Sequence, residues 1–221
     1  MILRLPSILF LWALFFLPDF VWAEGALDAI HVTGVLLWGS DSEGGAPYIF
    51  PDPDAPDKLI GFEADLASAI ARKLGVTARQ SQAHWASLIP ALKRGDFHMV
   101  MNGLERTTER AEEVDLSDPY YIFSQQLVVR KDEIAIRSLA DVKGKLVGTL
   151  GGTSAQAMLQ ALPGVQIKIY EGQVEPYRDL ELRRLDAVLM DSPIADYHAR
   201  PNPNLKYAGK PEGENVYVIA V

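Results

Sequence analysis

Four features of the chain carry polar chemistry that a fold could concentrate. Arg110 presents a planar guanidinium fork able to bind a carboxylate through two N–H groups at once. An exposed ion pair with Glu109 or Glu112 is the plainer alternative. Gly151-Gly-Thr-Ser154 precedes a helical run, so free N–H groups and two hydroxyls make it an anion site. An ordinary N-cap turn explains the same residues, and the absence of a lysine argues against a nucleotide-phosphate loop. Asp191 directly follows the apolar run Ala187-Val-Leu-Met190, which reads either as a buried anion at a strand end or as the cap of the next helix. Trp85 stacks on a ligand or fills a core.

Other constellations point nowhere. Asp52, Asp54, Asp57 and Glu63 mimic the spacing of a calcium loop, but Asp57 stands where glycine is needed and Pro56 where a ligand belongs, so a solvated loop is expected. His31, His84, His98 and His198 lack metal-ligand spacing. The chain has no cysteine, which removes thiolate metal sites and disulfides. Neither a metal nor a cofactor is expected. Glu109, Glu112, Glu113 and Asp115 read as a solvated face.

These residues must be positioned by alternating strands and helices. Val32 to Trp38 reads as a buried strand, and Asp41 to Asp57, rich in Gly, Pro and Asp, as loop. Phe62, Leu66, Ile70 and Leu74 recur every fourth residue, an amphipathic helix stopped by Gly75. Further strands are expected from Val76, over Phe97 to Met101 and over Leu127 to Arg130, with short helices over Leu88 to Leu92 and Thr107 to Glu112 between them. The second half repeats the grammar: strands over Lys145 to Leu150, Val165 to Ile169, Ala187 to Met190 and Val216 to Val221, and helices over Ala155 to Leu162, Pro176 to Arg184 and Ser192 to Ala199. The pattern predicts an α/β chain of two lobes with largely parallel sheets, a hinge and a cleft between them. The lobes are expected at residues 27–130, with 216–221 returning to them, and 131–215. Ligands of such sheets bind beyond the carboxyl ends of the strands, where Asp41, Asn102, Gly151-Gly152 and Asp191 lie.

With 221 residues, 23% charged and 48% hydrophobic, the composition is globular. A formal charge of -8 disfavours nucleic acid as a partner. Arg4, the apolar run from Ser7 to Leu17, Pro18 and Val21-Trp-Ala23 have the build of an export signal over residues 1–23, with an uncleaved anchor as the alternative. A periplasmic or extracytoplasmic location is expected.

Gly61-Phe-Glu-Ala-Asp-Leu-Ala-Ser-Ala-Ile-Ala-Arg-Lys-Leu74 resembles the signature of the polar amino-acid-binding proteins of bacterial ABC importers. In order follow Trp85-Ala-Ser-Leu-Ile-Pro-Ala-Leu92, Met101-Asn-Gly-Leu-Glu-Arg-Thr-Thr-Glu-Arg110, Ser117-Asp-Pro-Tyr-Tyr121, Leu139-Ala-Asp-Val-Lys-Gly-Lys145, Val147-Gly-Thr-Leu-Gly-Gly-Thr-Ser154 and Asp186-Ala-Val-Leu-Met-Asp-Ser-Pro193. The resemblance implies the two-lobe periplasmic-binding architecture. It implies an extracytoplasmic domain that captures an amino acid, a basic one among the options, without chemistry. It also implies delivery to an ABC permease, in trans or fused, with the membrane met only through that permease and the protein a monomer. It carries over roles too: Asp41 to the ligand side chain, Trp85 to an aromatic wall, and Asn102, Gly103 and Glu105 to a polar loop. Arg110 becomes a carboxylate clamp, Leu150, Thr153 and Ser154 a second carboxylate loop, and Asp191 the seat of the α-ammonium. Such a division of labour suits a zwitterion, because unpaired charge in a dry cleft is costly. The alternatives are a sensor domain of a membrane receptor, or a cyclic-acid dehydratase using Glu105 or Glu171 as proton donor.

The departures concern specificity. Gly44-Gly45, with Tyr48 behind Pro47, replaces the family's usual aromatic, and Glu105 replaces its usual Ser or Thr. With Asp41 and Asp191, Glu105 sets three acids against Arg110, which favours a cationic side chain on the ligand. A Glu105 turned outward, or paired with Arg106, would remove that bias. Relatives also continue beyond a strand like Val216 to Val221, and in this the chain resembles binding domains fused to a permease.

Overall fold

In the computed structural model, residues 25–43 and 45–221 are described; the expected export signal lies outside them. Helix α1 (Ala26–Thr33) leads into β1 (Val35–Ser40). The first strand therefore starts three residues later than its apolar run, because Gly34 in the left-handed region (φ 69°) ends a helix there. The stretch expected as loop forms a hairpin of β2 (Phe50–Asp52) and β3 (Ala55–Ile60). Helix α2 (Phe62–Leu74) follows as the four-residue period requires, closed by Gly75. Strand β4 (Thr77–Gln82), a 3-10 turn at Trp85–Ser87, α3 (Leu88–Lys93), β5 (Met99–Val100) and α4 (Thr108–Glu113) complete this half.

Strand β6 (Tyr121–Arg130) opens the second half, with β7 (Leu146–Leu150), α5 (Ser154–Gln160), β8 (Gln166–Tyr170), α6 (Glu175–Glu181), β9 (Ala187–Asp191), α7 (Ser192–His198), β10 (Leu205–Tyr207) and β11 (Glu212–Tyr217). Two sheets result. The first is parallel, ordered β4-β1-β5. The second is mixed, ordered β10-β6-β9-β7-β8, with β11 also on β6. Parallel pairs join β7 to β8 and β9, while β6 runs antiparallel to its neighbours.

The lobe limit expected at residue 130 falls at the far end of β6, whose pairing partners β9, β10 and β11 all belong to the second sheet. The polar break Arg130-Lys-Asp-Glu133 is the turn after a strand rather than a linker. The chain passes between sheets near residues 118–120. It returns after Tyr217, where Ala220 bridges to Val100 and Leu116. Val216 to Val221 thus divides its backbone pairing between the sheets. Each sheet has its own buried core: Leu36, Ala67 and Met99 in the first; Leu127, Val147 and Leu189 in the second. Burying the leucines, valine and methionine among these supplies roughly 1.5–3 kcal/mol each.

Candidate functional site

The carboxyl ends of β1, β7 and β9 converge on a cavity of about 360 Å³ between the sheets, a size suited to a small-molecule ligand. Asp41, Trp85, Asn102, Gly103, Glu105 and Asp191 line it, as do Leu150 and Thr153. Arg110 and Ser154, expected beside them, stand behind this lining.

Asp41 follows the last residue of β1. Its carboxylate accepts from the Gln82 amide at 2.9 Å and from the Trp85 N–H at 3.2 Å. Asn102 turns its side-chain oxygen to the Asp41 N–H at 3.1 Å, so it holds the loop. Trp85 reaches across the cleft, its indole N–H donating to the Gly151 carbonyl at 2.8 Å. Gly103 adopts φ 61°, and a Cβ there would lie 2.7 Å from the Tyr48 ring, so glycine is needed. Its N–H donates to Glu63 at 2.7 Å.

Glu63, which the sequence reading grouped with a solvated loop, is fully buried in the first turn of α2. It also accepts from the Tyr120 hydroxyl. Burial pushes its carboxyl up to about 7 against the pull of these two donors. Asp191 stands at the cap position of α7 but makes no capping bond. Instead it accepts from Gln125 at 2.8 Å and Tyr217 at 2.6 Å. Burial first, then the charge of Glu105, lifts it to about 8. Burial, with Tyr48 and Asp191 beside it, raises the Tyr217 hydroxyl well above its ordinary range, which keeps it a donor.

Glu105 departs most from expectation. It is 1% exposed and turned inward; Arg106 instead donates to the Ser117 carbonyl. The Glu105 carboxylate crosses to the second sheet's side, where both oxygens accept from the Ser154 N–H at 3.0 Å and one accepts from the Ser154 hydroxyl at 2.5 Å. Arg110 stands 3.5 Å away. Thr107 caps α4 by accepting from the Arg110 N–H, which fixes where that side chain departs. Its guanidinium lies over the Trp85 ring at 5.2 Å and donates to the carbonyls of Glu105 (2.7 Å) and Gly152 (2.9 Å). Thr153 caps α5 by accepting from Gln156. The Gly-Gly-Thr-Ser turn is therefore both a cap and an anion seat, and the anion in it is Glu105.

Sequence reasoning overlooked Gln125, Gln173 and Tyr217. Gln173 closes the other end of the cleft, donating to the Ala46 carbonyl at 2.5 Å. Tyr217 links Asp191 to Tyr48, whose hydroxyl lies 2.7 Å from its own. Only Gln125 left a signal: a polar residue inside an apolar strand.

Residues 38–207 match the bacterial extracellular solute-binding proteins, family 3. The L-cystine-binding protein of Escherichia coli is 33% identical over 85% of this chain and 70% of its own length. ABC transporter arginine-binding protein 1 of the same organism is 31% identical over 72% of this chain and 65% of its own. Among solved structures, holo ArgBP of T. maritima aligns with a TM-score of 0.81 at 31% identity, covering 88% of this chain and 85% of that one. An ancestral amino acid-binding protein, described as a precursor of cyclohexadienyl dehydratase, aligns at 0.83 and 32% identity, covering 89% and 86%. The chain belongs to family 3 of the bacterial extracellular solute-binding proteins.

Proposed function

We propose that the cleft captures a small amino-acid-like ligand carrying a cationic group and delivers it to an ABC permease, without transforming it. The observation that carries this is Asp191, a buried carboxylate lining the cavity and held by two donors. Such a group suits an ammonium, since ionising it in a dry site calls for a counter-charge. Relatives named for binding arginine, histidine and cystine support the ligand class. The lobes hinge at the two crossings, near residues 118–120 and after Tyr217, and bonds such as Trp85 to Gly151 hold them shut. Residues 1–23 direct export. A receptor domain would bind alike, and a dehydratase would turn its ligand over.

A thermal-shift screen of the twenty amino acids tests the reading. Arginine, lysine or histidine should stabilise the protein most, with the ligand recovered unchanged. Stabilisation only by acidic or neutral amino acids, or conversion of the ligand, would contradict it.

A further inference from the structure

The groups able to hold a ligand carboxylate are already engaged. A carboxylate in this cleft would look to the Arg110 fork, the Ser154 N–H and the Ser154 hydroxyl, the strongest donors near the cavity. Ser154 gives both of its donors to Glu105. Arg110 stacks on Trp85 and divides its N–H groups between two backbone carbonyls and the Glu105 carboxylate. Glu105 is covalently tethered, so it meets these donors at no cost in association entropy.

The cavity in front of them is lined by acids. Asp41, Glu43, Glu105, Glu171, Glu175 and Asp191 line it, and among the described residues no lysine or arginine does. Asp191 itself is 5% exposed, and its hydrogen bonds come from the neutral donors Gln125 and Tyr217. Cationic ligand groups are favoured by this lining. A ligand carboxylate would meet like charges and find its natural partners taken.

We infer that Glu105 fills the carboxylate position of the cleft from within, so that the preferred ligand is a basic amine or guanidine of amino-acid size lacking an α-carboxylate. This rests on reading the cleft as a capture site for amino-group ligands. An amino acid must displace Glu105 or leave its own carboxylate unmatched, whereas the corresponding amine needs neither.

Calorimetry on the soluble protein with three matched pairs tests the inference: lysine and cadaverine, arginine and agmatine, histidine and histamine. In the tightest-binding pair, the amine should bind at least tenfold more tightly than the amino acid. Glu105→Thr, which frees Ser154 and Arg110, should move that ratio at least tenfold toward the amino acid. The wild-type comparison stands without the variant, should Glu105→Thr fail to fold. Amino acids binding as well as or better than their amines would overturn the inference and leave the capture function intact. A ratio unchanged in folded Glu105→Thr would overturn the role given to Glu105. No binding of either member of any pair would overturn both readings.

Discussion

Raising the pH should tighten ligand binding, and Asp191 determines by how much. In the empty cleft its carboxyl is lifted to about 8, chiefly by burial. At pH 6 it is therefore largely protonated, and a cationic ligand that needs the carboxylate must expel that proton. Linkage then requires the affinity to rise about ninefold from pH 6 to 7 and about fivefold from pH 7 to 8, roughly 50-fold in all, before levelling off. Titration calorimetry with lysine and cadaverine at pH 6, 7, 8 and 9 measures the slope. Repeating pH 6.5 in buffers of different ionisation enthalpy counts the protons, and close to one should be released per ligand bound. Asp191→Asn should remove both the slope and the release. A wild-type affinity constant within threefold from pH 6 to 8, with no proton released, would refute the reasoning.

The ligand-free protein should respond to pH in the opposite sense. The folded carboxyls of Glu63 and Asp191 are raised to about 7 and about 8. The folded state thus keeps protons that the unfolded chain loses near pH 4, and stability falls as pH rises through this interval. For Glu63 the loss between pH 5 and 8 is on the order of 2–3 kcal/mol. Glu63→Gln, which can still accept from Gly103 and Tyr120, should flatten that part of the profile in urea unfolding. Gly103→Ala should cost roughly 2–4 kcal/mol in the same assay, because its Cβ would meet the buried Tyr48 ring at 2.7 Å from a left-handed backbone; a loss under 0.5 kcal/mol would show that the loop yields. Trp85→Phe removes the 2.8 Å bond to Gly151 across the cleft, worth about 1 kcal/mol. It should enlarge the radius of gyration of the ligand-free protein in X-ray scattering, and an unchanged radius would count against this bond as a latch.

The fold was legible wherever periodicity was long or a breaker sharp. Phe62, Leu66, Ile70 and Leu74 marked α2, and Gly75 its end. The apolar run into Asp191 marked a strand end opening on the cavity. The hairpin was not legible: β2 and β3 are three and six residues in a stretch rich in proline and aspartate, and pairing overrides such composition. The polar residues after Arg130 read as a linker, while the passage between the sheets near residues 118–120 is too short to have a composition of its own. Asp41, Asn102 and Asp191 could be named because residues after strands face the cleft, whereas Trp85, Gly103, Glu105, Leu150 and Thr153 were placed in it only through the family resemblance. Partnership could not be. Nothing in the sequence says that Glu105 crosses to Ser154, that Glu63 lies beneath Gly103 or that Tyr217 reaches Asp191, because each pair is more than 25 residues apart in sequence and meets only through tertiary packing.

The central claim is that Asp191 seats the cationic group of a captured ligand. Its most direct test is titration calorimetry of wild type and Asp191→Asn side by side, with the tightest-binding of lysine, arginine, histidine and their amines, at pH 8. Removing one partner of a buried charge pair costs roughly 2–5 kcal/mol, about 30-fold to several thousandfold in affinity. The account predicts one-to-one binding to wild type, a loss of at least 30-fold in the variant, and a ligand-free variant that still unfolds cooperatively. Binding to folded Asp191→Asn within fivefold of wild type would contradict it.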